Sequence, residues 1–463
     1  MKTFSINSLG CKVNQYESQQ IRELLENFGL HGAEPPEKPD LAVVNSCCVT
    51  HTASAKSRQC IRKIRKQSPH AVIVVSGCLP TVQIGELSTT ADDVHLIRNR
   101  SELADTLSNI IHNKAVTLTS QRTQSCPDTT IKAKNSYKIK HKKELNNNLE
   151  LPPLTSFEGQ TRAFLKVQDG CDGYCSYCIV PKTRPFVRSK PVDEVLREAQ
   201  ALVESGHREI VVTGIFLGAY GLQSVRRKNW PNKRNDNLAD LLDKMAEIPN
   251  LARIRLSSLE PADLTPRLLD TFCRHHNIMP HLHLSLQSGS DVILKKMCRQ
   301  YRTGQFIEKV ESAKSRLDRP AITTDIIVGF PGETDADFEQ TVDVAKRVGF
   351  AKMHVFSFSP RKGTAAAQMQ DTVDTKVIKE RSQILRDLNI ELGLEYRRQF
   401  LGRTAEVLIE NNNGQLSGRG ERYFKVYLKK TEKKQERNSI VKVKLLKNRR
   451  YGVIGEPSSQ KVR

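Results

Sequence analysis

The segment Cys171-Asp172-Gly173-Tyr174-Cys175-Ser176-Tyr177-Cys178 sets three cysteines, at spacings of four and three, within eight residues. Thiolates so spaced converge on one inorganic centre, and a cubane iron–sulfur cluster held by three cysteines keeps one iron without a protein ligand. A structural zinc site asks for four ligands at paired spacings, and no fourth Cys or His stands near enough in sequence to complete this one. A disulfide framework fits poorly with three clustered thiols in a chain whose first residues, MKTFSINSLGCKVNQ, lack the apolar core of a secretory signal.

From Thr161 onward, short apolar runs alternate with helical periodicity. Strands are predicted at Phe164–Val167, Glu209–Thr213, Arg253–Leu256, His281–Leu286, Ile322–Val328 and Lys352–Phe356, and helices between them include Val192–Glu204 and Gln305–Arg316. Six such units predict an α/β fold centred on an incomplete, parallel (β/α)6 barrel, with its chemistry on the loops that follow the strands. The cysteine segment follows the first strand. Other strand ends carry glycine or polar residues able to approach a ligand closely, namely Gly214, Ser257, Glu260, Gln287 and Gly329.

Upstream, the strand-like runs Thr3–Ser8, Leu41–Val44 and Ala71–Val75 each end just before cysteine: Cys11, then Cys47 with Cys48, then Cys78. A helix carrying Ile21, Leu24, Leu25 and Phe28 on one face follows the first. In an open parallel α/β sheet the carboxyl ends of the strands form the ligand edge, so Cys11, one of Cys47 and Cys48, and Cys78 are expected to meet as a second set. Spacing leaves Cys47 and Cys48 as alternatives. Cys60, in the helical segment Ala55–Lys66, reads as core.

Residues 113–156 are polar and read as a linker, with Cys126 and the basic run Lys132–Lys143 inside it; Leu222–Asn237 reads as a polar insertion. After a helical stretch at Thr375–Tyr396, strands at Thr404–Ile409, Arg422–Leu428 and Ile440–Leu445 predict a small β-barrel. The expected division is an N-terminal open parallel α/β domain (1–112), the central barrel (157–392) and the small β-barrel (396–458). Against 51 Asp and Glu there are 73 Lys and Arg, a net charge of +22, which points to a polyanionic partner such as nucleic acid. In the small barrel, Arg419, Arg422, Lys425 and Tyr427 are candidate RNA contacts, since cations reach phosphates and aromatic faces stack on bases. Eleven cysteines without a secreted spacing indicate a reducing, cytoplasmic setting, and no run approaches the ~20 apolar residues of a membrane span.

The Cys171–Cys178 spacing, with aromatic Tyr177 before the last cysteine, resembles the signature of the radical S-adenosylmethionine (SAM) superfamily. With SLGCKVNQYES, NSC and SGC upstream and TGIFLGAYG, RIRLSSLEP, HLHLSLQSGSD and TTDIIVGFPGET downstream, nearly the whole chain resembles the methylthiotransferase family. That resemblance implies two 4Fe-4S clusters and SAM. Cys171, Cys175 and Cys178 would hold the cluster whose open iron is chelated by the amino and carboxylate groups of SAM. When reduced, that cluster would pass one electron to the sulfonium, so that carbon–sulfur cleavage yields a 5′-deoxyadenosyl radical. Cys11, Cys47 and Cys78 would hold an auxiliary cluster that delivers sulfur; Cys47 is favoured over Cys48 by its place in the NSC motif. SAM contacts are implied at Tyr177, Gly214, Ser257, Glu260, Gln287 and Gly329.

The C-terminal barrel resembles the TRAM domain, an RNA-binding module. The segments VNQYES and RLSSLEP are most similar to the branch that methylthiolates carbon 2 of threonylcarbamoyladenosine beside the tRNA anticodon. Isopentenyladenosine in tRNA and an aspartate of a ribosomal protein are the alternative substrates within the family. A non-catalytic iron–sulfur RNA-binding protein is the alternative of another class. Implied partners are tRNA, a flavodoxin- or ferredoxin-like electron donor and a sulfur donor of unknown identity. Side-chain acids and bases cannot activate an aromatic C–H, so the cofactors carry the difficult step and the cysteines are the decisive residues. One departure from the family pattern is Arg184-Pro185, where an Arg-Gly pair is common; proline stiffens that loop.

Overall fold

The computed structural model describes residues 1–82, 94–112, 151–226, 236–411, 414–429 and 435–458. Residues 113–150 of the expected linker, with Cys126 and Lys132–Lys143, lie outside these, as do 227–235 of the expected insertion. Strands β1 (Thr3–Ser8), β2 (His31–Gly32), β3 (Leu41–Ser46), β4 (Val72–Gly77) and β5 (Val94–Leu96) form a wholly parallel sheet ordered β2-β1-β3-β4-β5. The apolar run of β3 serves both faces. Leu41 and Val43 pack with Leu24, Leu25 and Leu107 on one side, while Ala42 and Val44 pack with Ile61 and Ile64 on the other. A strand covered on both faces needs no polar alternation, which is why this run is continuously apolar.

The central unit contains β6 (Ala163–Asp169), β7 (Arg188–Ser189), β8 (Glu209–Gly214), β9 (Arg253–Leu256), β10 (Ser258–Leu259), β11 (His281–Leu284), β12 (Ala321–Val328) and β13 (Lys352–Ser357). The parallel order is β6-β8-β9, then β10-β11-β12-β13, with β7 added antiparallel at the β6 edge. Ser257 splits one strand into β9 and β10, and the two halves pair with opposite neighbours. The expected six-unit series is therefore present with a break in its third strand. Among the described residues β13 and β6 do not pair, so the barrel is open on one side.

The helix Thr375–Arg398 packs on β13, where Asn389 Oδ1 accepts the Met353 amide at 2.6 Å, and leads into the last unit. There β14 (Thr404–Asn411), β15 (Ser417–Arg419), β16 (Lys425–Leu428), β17 (Ile440–Arg449) and β18 (Gly452–Pro457) close a barrel ordered β14-β15-β16-β18-β17. Three strands are legible in its sequence; β15 and β18 are not. Both are glycine-bearing: a Cβ on Gly418 would stand 2.0 Å from the Leu408 carbonyl oxygen, and one on Gly452 2.5 Å from that of Lys425. Glycine is needed where strands crowd at a barrel corner, and it erases the alternation that reveals a strand. Among the described residues no helix is long and apolar enough to cross a membrane.

Candidate active site

Cys11 caps the N-terminus of the helix Lys12–Asn27, Cys47 follows β3 and Cys78 follows β4. The Cys78 amide donates to the Ser46 carbonyl at 3.0 Å, extending the β3–β4 ladder by one step and setting Cys78 beside Cys47. Gly10 has φ +104°, and a Cβ there would lie 2.7 Å from Cys47 Cβ and 2.9 Å from its Sγ. Only glycine both accepts that conformation and lets Cys47 in. Cys48 is fully buried, packs with Ile61 and Val75, and donates its thiol to the Cys78 carbonyl at 3.4 Å.

The second triplet is held by backbone. The Cys171 amide donates to the Arg184 carbonyl at 2.8 Å and the Cys178 amide to the Cys175 carbonyl at 3.1 Å; Ser176 is tied through its amide to Met297 and through its hydroxyl to Lys296. Gly170, at φ +78°, permits the return of the loop, since a Cβ there would sit 1.8 Å from the Phe186 carbonyl oxygen. All six cysteines line one cavity of about 310 Å³ between the N-terminal sheet and the barrel. Burial raises the Cys47 and Cys171 thiols to about 11 and Cys178 to about 12, with neighbouring thiolates adding to the rise. Such thiols need a metal cation to ionise at neutral pH. Cys78 is shifted well below its ordinary value, by the Cys48 thiol and by the Arg184 and Arg100 guanidiniums.

Tyr177, Gly214, Ser257, Glu260 and Gln287 also line the cavity, so five of the six expected cofactor contacts meet there. Ser257 Oγ is buried without a hydrogen-bond partner among the described residues, and Gln287 holds an unusual φ of +65° at the rim. Gly329 lies elsewhere. Its φ is +76°, its amide donates to Glu333 Oε2 at 2.8 Å, and a Cβ would collide with Ile378 at 2.3 Å, so close packing accounts for the glycine.

Two arginines were not legible as site residues. Arg299 pairs with Glu260 and donates to Cys175 Sγ at 3.1 Å, placing one buried guanidinium between a cavity carboxylate and a cysteine. Arg184 donates to both carboxylate oxygens of Glu17 at 2.8 and 2.7 Å and to Asp169 Oδ1 at 2.7 Å. Lys166 reaches Glu17 at 3.0 Å, while Arg100 stands 3.6 Å from Glu17 and donates to Cys78 Sγ at 3.5 Å. This network fastens the first helix to the barrel beside the auxiliary triplet. The sequence signal is that Glu17 falls on the apolar face of this helix, in line with Ile21 and Leu24.

The candidate RNA contacts divide. Arg422 donates to the Arg319 and Asp318 carbonyls at 3.1 and 2.8 Å, and Arg419 to the Tyr423 carbonyl at 2.8 Å, so both are engaged inside the protein. Lys425 stacks over the Tyr427 ring at 4.7 Å on the barrel surface.

A family model described as the Radical SAM superfamily matches residues 165–345, and one described as Uncharacterized protein family UPF0004 matches residues 3–98. The chain is 36% identical over 455 residues to the threonylcarbamoyladenosine tRNA methylthiotransferase MtaB of Chlamydia pneumoniae, with 98% of each chain covered. It is 34% identical to the protein of that name from Bacillus subtilis, covering 96% of this chain and 94% of that one. The tRNA-2-methylthio-N(6)-dimethylallyladenosine synthase of Corynebacterium efficiens is 32% identical, covering 89% and 75%. Among solved structures, the radical S-adenosylmethionine methyltransferase TsrM of Kitasatospora setae aligns with a TM-score of 0.54 over 79% of this chain and 74% of that one, at 13% identity, a likeness of fold alone. Matched from end to end by such enzymes, and with a radical SAM barrel facing a second cysteine-bearing sheet, the chain belongs to the methylthiotransferase family of radical SAM enzymes.

Proposed function

We propose that the chain transfers a methylthio group to carbon 2 of threonylcarbamoyladenosine in tRNA, using a SAM-binding 4Fe-4S cluster on Cys171, Cys175 and Cys178 and an auxiliary 4Fe-4S cluster on Cys11, Cys47 and Cys78. The supporting observation is the shared cavity: both thiol triplets line it, each with three ligands, in a chain alike over its whole length to enzymes of that name. Three thiolates per cubane leave one iron of each open. The donor set therefore fits two clusters better than structural zinc, which wants four protein ligands.

When bound, SAM and its cluster supply the one-electron chemistry that an unactivated aromatic carbon requires. The chain's own residues position and insulate. Arg299 neutralises charge beside Cys175 while holding Glu260. Arg100 and Arg184 oppose the negative charge of the auxiliary thiolates and, through Glu17, fix the distance between the two triplets. Ser257 Oγ and Gln287 offer polar atoms to the SAM ribose or methionine moiety. In this reading residues 1–112 carry the auxiliary cluster, 157–392 the radical chemistry, and 396–458 bind RNA through surface such as Lys425 and Tyr427. The setting is the cytoplasm, with a flavodoxin- or ferredoxin-like electron donor.

Mass spectrometry of tRNA nucleosides from cells lacking and regaining the protein tests the reading. Loss and recovery of methylthio-threonylcarbamoyladenosine is expected. Loss of methylthio-dimethylallyladenosine instead would move the substrate to the other branch, and no change in either would overturn the tRNA assignment.

A further inference from the structure

Along the inner faces of β11, β12 and β13, below the cavity, stands a polar cluster that the reaction outlined above does not use. Asp325 and His354 are register partners on neighbouring strands, and His283 lies opposite Thr323, two residues before Asp325 on the same face. The imidazole nitrogens and carboxylate oxygen that these three residues direct at one another lie within 4.8 Å. His283 Nε2 is 3.3 Å from Asp325 Oδ2, and its Nδ1 is 3.0 Å from Thr323 Oγ1.

Two histidines and a carboxylate are a familiar metal-binding set, but their surroundings oppose a cation. Lys12, which lines the cavity, acts electrostatically on Asp325 and His354, and Lys352 acts on His354. Neither lysine has an ion-pair partner among the described residues. Two ammonium groups against one carboxylate leave the cluster net positive, which repels a divalent cation and attracts an anion. The same strand face continues from Lys352 and His354 to Phe356, all three exposed, on the open edge of the barrel; the Phe356 side chain remains 44% exposed. A bare aromatic ring in line with a cation and an imidazole is the surface that a base bearing an anionic substituent would fit.

We propose that this face receives the N6 substituent of the substrate base: Phe356 packs on the adenine, and Lys352 and Lys12, with the His283 and His354 imidazoles, take the carboxylate of the threonylcarbamoyl group. The inference rests on the threonylcarbamoyladenosine reading. It adds the physical basis of selection. A dimethylallyl group has no charge or hydrogen-bonding atom, so seating it here would strip water from the cluster and return nothing, whereas the threonyl carboxylate matches it.

Binding of anticodon stem-loop RNAs to the cluster-loaded full-length protein tests this. The loops carry threonylcarbamoyladenosine, dimethylallyladenosine or plain adenosine next to the anticodon. The unaltered protein is expected to prefer the first by about tenfold or more, the scale of a charge-assisted contact. Lys352→Ala and His354→Ala should bring that ratio towards one, and Lys352→Arg should keep it, with iron content checking that each variant is intact. A ratio unchanged in both alanine variants overturns the subsite and leaves the substrate reading standing. No preference in the unaltered protein, together with unchanged methylthio-threonylcarbamoyladenosine in cells, overturns both. An extra equivalent of zinc or iron, beyond the clusters and lost in His354→Ala, would reassign the residues to a metal site and overturn the proposal.

Discussion

Cys47 and Cys48 are adjacent in sequence and opposite in environment. Cys47 reaches the cavity over Gly10; Cys48 is sealed among Ile61 and Val75 with its thiol on a backbone carbonyl. Cys47→Ala should therefore lower bound iron from about eight to about four per chain, while Cys48→Ala should keep both clusters; the opposite iron counts would make Cys48 the ligand. Gly10→Ala should act like a milder Cys47→Ala, because its methyl group would meet Cys47 Cβ at 2.7 Å. Overpacking of this kind costs about 1–3 kcal/mol, so a lowered unfolding midpoint and partial iron loss are expected together. An alanine variant with full iron and unchanged stability would refute that. Spacing could find the cysteines. It could not say which of two neighbours turns to the cavity, since β3 is covered on both faces and alternation marks neither side as the ligand side.

The helix Lys12–Asn27 carries the connection between the two halves of the site. Its apolar positions Ile21, Leu24 and Leu25 hold it to its own sheet, and Tyr16 and Glu17 hold it to the barrel. Tyr16 donates to Glu198 at 2.6 Å, and Lys190 completes that second, separate pair of contacts. Glu17→Gln would leave the Arg184 guanidinium and the Lys166 ammonium facing one carboxylate, Asp169, in place of two. Breaking a buried pair from one side costs about 3–5 kcal/mol, and here it also loosens the spacing between the triplets. Methylthio product formed per 5′-deoxyadenosine released should fall in Glu17→Gln more than SAM cleavage itself does. Equal losses in both would show that Glu17 serves stability only. The amphipathic pattern announced this helix and places Glu17 on its apolar side with Ile21 and Leu24, but the partners of that carboxylate appear only when the barrel is brought against it.

At the scale of the molecule, the C-terminal barrel is docked by two buried arginines of β9. Arg253 donates to the Glu406 and Arg419 carbonyls at 2.7 and 3.2 Å, and Arg255 to the Glu421 carbonyl at 2.9 Å. Glu209 balances them, with Arg255 Nε at 2.9 Å. Burial would raise the Glu209 carboxyl, but the Arg255, Arg162 and Arg253 charges outweigh it and hold the group below the usual carboxylate range. A depressed carboxyl contributes stability that is present above its unfolded value, about 4.3, and is lost as pH falls through the folded one. Denaturant unfolding should thus weaken below about pH 4.3 more steeply in the unaltered protein than in Glu209→Gln. Parallel pH profiles would remove Glu209 from the docking. At the same junction Arg422 is engaged with the Asp318 and Arg319 carbonyls, while Arg419 is engaged with the Tyr423 carbonyl within its own barrel. By itself the sequence determined the α/β alternation, the six barrel units, the tight Cys171–Cys178 spacing and the presence of Cys11, Cys47 with Cys48, and Cys78 just past strand ends, because periodicity and close spacing are local properties written along the chain. Only the tertiary structure decided that the triplets share one cavity, that Arg184 and Arg299 line it, and that Glu17 holds Arg184 beside it. Those depend on charges brought together across 167 positions of sequence, as in Arg184 and Glu17, and no local pattern encodes a buried pair at that distance.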